Sequence, residues 1–79
     1  YDGERLDRGI AHLRTTIDLS DSPRIEEDAY WFLGCAYLMK QEAGPAMEAF
    51  TQVRDMEGRR LRQAQQMVDD LATIDETTR

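Results

Sequence analysis

Few residues in this 79-residue chain are of types that do chemistry, and their spacing keeps them apart. His12 is the only histidine. It lies off the apolar line Leu6, Ile10, Leu13 and Ile17 with no motif around it, which is the pattern of an exposed side chain rather than a catalytic base or metal ligand. Cys35 is the only cysteine, so no intrachain disulfide forms, and its neighbours are apolar rather than a Cys-x-x-Cys or Cys/His cluster. Glu26, Glu27 and Asp28 are contiguous. Successive helix positions point in different directions, so these carboxylates do not converge on a cation; near the start of a helix they complement its dipole instead. Gly44-Pro45 lacks the Lys and Ser/Thr of a phosphate loop. No nucleophile with a base, no carboxylate pair and no metal cluster emerges, so the expectation is a protein that is not an enzyme and takes no cofactor.

Arg54, Arg59, Arg60 and Arg62 form the one basic concentration, followed by Gln63, Gln65 and Gln66. This order is compatible with the start of a DNA-reading helix or with a solvated, salt-paired corner. A net charge of -6, from sixteen acidic against ten basic residues, favours the second, because nucleic-acid binding needs a basic face to displace counterions. No nucleic-acid partner is expected. The longest apolar stretch, residues 29–39, is far below the roughly 20 residues of a membrane-crossing helix. Neither Cys35 nor the acidic charge chooses between cytoplasm and periplasm. The start at Tyr1, without a methionine, reads as a segment of a longer protein.

At 41% hydrophobic and 33% charged, the chain has the composition of one small folded domain over residues 1–79. Its apolar periodicity predicts four helices. The first covers about residues 3–19. Ser20-Asp21-Ser22-Pro23 then offers capping side-chain oxygens and a proline suited to a first turn, opening a second helix over about 23–40. Gly44-Pro45 separates it from a third, about 45–57, with Ala46, Ala49, Phe50, Val53 and Met56 on one face. Gly58 is expected to stop that helix in a left-handed conformation, and Leu61, Ala64, Val68, Leu71 and Ala72 mark a fourth over about 59–73, before a tail expected to fray. The second helix is apolar around most of its circumference, so it is expected at the centre, covered on several sides, with the first and fourth outermost. The fold class is all-α, an antiparallel helix-turn-helix array of about four helices.

Within helices two and three the order Tyr30-x-x-Leu33-Gly34-x-x-Tyr37, then Ala46-x-x-x-Phe50, resembles the tetratricopeptide repeat over about residues 27–60, with Tyr30 where tryptophan is commoner and Gly58 where proline is usual. The small Gly34 and Ala46 suit a close helix crossing, and Leu33, Tyr37 and Phe50 suit the space beside it. The resemblance implies an α-α superhelix with one complete repeat, preceded by a helix similar to the second of another repeat and followed by a closing helix. It further implies that Asp28, Trp31, Cys35, Leu38 and Met39 line a groove for a peptide or partner helix, apolar except for Asp28. Trp31 is then either a groove anchor or core, according to whether another helix covers it. Two functions follow as expectations: a non-catalytic scaffold that binds a protein or peptide, or an assembly domain that self-associates through the same face as a homo-oligomer.

Overall fold

A computed structural model describes the backbone of residues 3–77 and the side chains of residues 3–73. The chain is all-α, with four helices in order: α1 (Gly3–Leu19), α2 (Pro23–Met39), α3 (Ala43–Asp55) and α4 (Leu61–Thr77). Each packs on the next, α1 on α2, α2 on α3 and α3 on α4. Residues at opposite ends of consecutive helices meet. Lys40, just past the end of α2, pairs with Asp7 at the start of α1, and Glu27 in the first turns of α2 reaches the turn after α3, so both pairs run antiparallel. The result is a slab with principal extents of 39 × 31 × 14 Å. Its short dimension is little more than one helix diameter of about 10–12 Å, so the array is one layer thick and each inner helix has two faces open to solvent.

The connections explain where the helices stop. Between α1 and α2, the Ser20 hydroxyl accepts from the Ser22 N–H at 3.0 Å and donates to the Ser22 carbonyl at 3.1 Å. The capping expected of Ser22 itself is absent: its backbone is extended at the N-cap but its side chain makes no capping bond, and Pro23 opens the helix with the φ already set. At the end of α2, Gln41 takes a left-handed φ of 63°, while its N–H bonds Leu38 O and the Glu42 N–H bonds Tyr37 O, each at 2.9 Å. These are the two bonds of a Schellman closure, here made without glycine. α3 begins two residues before Pro45. The proline is tolerated there because its missing N–H is one of the first four, which have no intrahelical partner in any case.

The turn after α3 corrects an expectation. Glu57 takes the left-handed conformation, with φ of 51°, and Gly58 does not. Gly58 is small for another reason: a Cβ there would collide with the Glu27 carboxylate. Glu27, 3% exposed, is therefore not one more solvated carboxylate of the first turn of α2. Its Oε2 accepts the Arg60 N–H at 3.0 Å, satisfying a donor just before α4 begins at Leu61. α4 continues past Thr73, through Thr77, where a frayed tail was expected; residues 78 and 79 lie outside the described residues.

The core follows from the apolar stripes. Phe50 and Val53 are fully buried, Ala46 and Ala64 are closed to solvent, and Ile10, Leu33, Tyr37 and Leu71 join them. The exposed faces of α1 and α4 carry mainly charged and amide side chains, among them Arg5, Arg8, Gln65 and Asp69. Gly9 lies on such a face, and a Cβ there would meet nothing within 4 Å. Gly9→Ala is expected to raise stability by about 0.5–1 kcal/mol through helix propensity alone, read as an increase in denaturation midpoint with no change in the slope of the transition.

Candidate functional site

α2 is not wrapped as its composition suggested. α1 and α3 cover two sides, and the side between them carries Ile25 and Phe32, each 51% exposed, and Met39, 63% exposed. These three are seven residues apart. At about 100° per residue they drift by only about 20° per step, so they form one nearly straight apolar line along the helix. Asp28 and Cys35 share this face, within an arc of about 80° that includes all five.

Of the residues expected to line a groove, Asp28, Cys35 and Met39 therefore lie together on the outward face of α2. Trp31 and Leu38 turn toward α3 and are half-buried. Trp31 packs edge-on against the fully buried Phe50, ring centroids 5.0 Å apart at 66°, which joins it to the core; its other side is covered by the Arg60 guanidinium, 5.4 Å from the ring centroid. Ile25 and Phe32 belong to the face and were not among the expected residues. The signal that locates them is the seven-residue spacing, which is visible in the sequence. It was masked by the run of apolar residues on either side, all of which could have been core.

Charge is organised at one end of the line. Asp28 accepts from Arg60 Nε at 3.0 Å and from Arg59 Nη2 at 3.3 and 3.4 Å. The hydrogen bond from Arg60 does most to hold the Asp28 carboxyl below the usual carboxylate range, with the charges of Arg60, Arg59 and Arg24 acting in the same direction. Arg60 also lies 5.8 Å from the Phe32 ring centroid, so a single guanidinium ties the carboxylate to both aromatic rings. Arg59 and Arg60 thus form the salt-paired corner that the overall acidity favoured. Because the folded carboxyl has the lower pKa, its stabilisation is present above the unfolded value of about 3.9 and is lost as pH falls through the lower folded value. Asp28→Asn is expected to cost less than about 1 kcal/mol at neutral pH, since the pair is partly screened by water, and the difference from the parent should vanish in strong acid. Paired urea titrations at neutral and acidic pH measure this; a difference that persists in acid would remove the ion pair as its cause.

The Cys35 thiol is pushed above the ordinary cysteine range by burial, against a smaller opposing effect of Arg60, so the thiolate is scarce. His12 stands exposed on α1, and among the described residues no group of three His, Cys, Asp or Glu side chains is placed to hold a metal ion. No described helix is long and apolar enough to cross a membrane.

The slab's opposite face has a groove of about 550 Å³, between α1 and α3, with Ile17, Tyr30, Leu33, Tyr37 and Met47 among its walls. Arg14 at its rim donates to the Tyr37 hydroxyl and lies 5.8 Å from that ring's centroid. The hydroxyl's acceptance raises the Arg14 pKa further, so the guanidinium is a permanent charge already engaged within the fold. Of the two faces, the outward side of α2 leaves large apolar side chains more fully in water. Compared with known proteins, the chain matches no family model, no curated protein and no solved structure.

Proposed function

We propose that this chain is a non-catalytic interaction module, a small helical array of tetratricopeptide type that docks a partner helix or peptide on the outward face of α2. The observation that carries this reading is the line Ile25, Phe32, Met39, exposed above a core that is complete without it. Three large apolar groups in water on one helix forgo the favourable free energy of burial, and a seven-residue repeat keeps in register with another helix wound against it. The buried Phe50 beneath Trp31 holds the backbone of α2 in place, so the face is formed before a partner arrives. Asp28, Cys35 and Met39 contribute to this surface, Trp31 and Leu38 support its edge, and neither cofactor, nucleic acid nor bound metal enters the mechanism.

A synthetic amphipathic helix with leucine at every seventh position tests this, its binding followed by the fluorescence of Trp31, the only tryptophan. Phe32→Asp is expected to weaken binding by at least about tenfold, the effect of removing a central aromatic anchor. It should leave stability within about 0.5 kcal/mol, because the side chain is half in water already. Unfolding of the variant would show that Phe32 is core. The second reading, self-association through the same face, rests on the same exposed line. Sedimentation equilibrium separates the two, since a homo-oligomer dissociates on dilution and a docking module is monomeric until its partner is added.

A further inference from the structure

The two ends of the exposed line on α2 differ in charge. At the amino end, Arg59 and Arg60 both bond Asp28, and Arg24 and Arg59 line one hollow of about 310 Å³ together with Pro23, Glu27, Met56 and Gly58. Two guanidinium groups therefore share one half-buried carboxylate, with Arg24 beside Arg59 at the hollow. The second carboxylate, Glu27, is buried beneath them with Oε2 engaged by the Arg60 N–H. Arg24, Arg59 and Arg60 thus outnumber Asp28 and Glu27, the carboxylates they adjoin, on a chain whose net charge is -6. At the other end, beyond Met39, Lys40 sits between Asp7 and Glu42, so no positive excess is left there.

Resting on the docking reading above, we infer that the occupant of this face is a helix of a different protein that carries carboxylates at the end meeting Arg24, Arg59 and Arg60. The apolar line supplies the contact area and leaves the partner's direction open, because a seam repeating every seven residues packs in either sense. Arginines grouped at one end remove that freedom. A partner carboxylate placed there meets planar donors suited to it, whereas a partner lysine meets like charge beside the Phe32 ring. A second copy is the weaker fit, because two chains of charge -6 repel.

The test uses two designed helical peptides with the same leucine repeat, one ending in three glutamates and the other in three lysines. The whole chain is expected to bind the glutamate peptide about tenfold more tightly at low salt, with the gap closing as salt is raised. Arg24→Gln/Arg59→Gln is expected to abolish the preference while leaving binding of the leucine seam, and circular dichroism confirms that this variant is folded. Equal affinity for the two peptides would overturn the inference while leaving α2 as a docking face. A preference that survives in the double variant would also overturn it, by placing its source elsewhere. Failure of both peptides to bind would remove the docking reading itself. Dissociable self-association of the parent chain that Phe32→Asp abolishes would identify the occupant as a second copy and overturn the inference.

Discussion

Phe50→Ala is expected to lower unfolding free energy by about 3–5 kcal/mol, read from urea titrations of the variant and its parent. Phe50 is closed to solvent, and its ring is where α2 and α3 meet, with Gly34 against one part and the edge of Trp31 against another. Truncation deletes the ring's burial and leaves a space that neither neighbour fills, since Gly34 has no side chain and Trp31 is held on its outer side by Arg60. A chain of this length has a total stability of only about 4–12 kcal/mol, so much of the population should unfold at moderate temperature. A loss below about 1 kcal/mol would mean that the α2–α3 contact does not hold the array together.

The second large effect arises at the same contact from the opposite direction. A Cβ at position 34 would lie 2.6 Å from Phe50 Cζ and within 2.8 Å of two more ring carbons, closer than van der Waals contact permits. The ring is fully enclosed, so accommodating Gly34→Ala requires the two helices to separate. Overpacking of this kind costs about 1–3 kcal/mol, and the helix propensity of alanine returns about 1 kcal/mol at most. A net loss is therefore expected in thermal or urea melts, with the opposite sign from Gly9→Ala, which makes the same chemical change in open space. Phe50→Leu should reduce the penalty of Gly34→Ala, because the two positions are coupled through one contact. Additive effects would separate them.

How much of this was legible in the sequence depended on which physical signal each feature left. The four helices were, because apolar stripes such as Leu6, Ile10, Leu13 and Ile17 repeat at helical spacing and Pro23 marks a helix start. A close crossing was legible from the small Gly34 and Ala46 with Leu33, Tyr37 and Phe50 beside it, but not that the Phe50 ring lies directly on Gly34. Turn chemistry was less so. Glycine at position 58 suggested a left-handed stop, but the left-handed residues are Gln41 and Glu57, and Gly58 is small so that Glu27 can approach. A buried carboxylate whose partner is the backbone N–H of Arg60, thirty-three residues later, leaves no local trace. The site was half legible. Asp28, Cys35 and Met39, expected along a groove, share the outward face with Ile25 and Phe32, which were not named, and eleven apolar residues in one helix do not say which of them remain in water. That is decided by the thickness of the slab, and so by tertiary packing.

The docking face is most directly tested by nuclear magnetic resonance of the isotope-labelled chain titrated with the glutamate-ended helical peptide. The shift changes are expected to concentrate at Ile25, Phe32, Cys35, Met39 and Arg59, on the outward face of α2 and its arginine end. Changes concentrated instead at Arg14, Tyr30 and Met47, in the groove on the opposite face, would contradict the assignment of α2's exposed line as the binding surface.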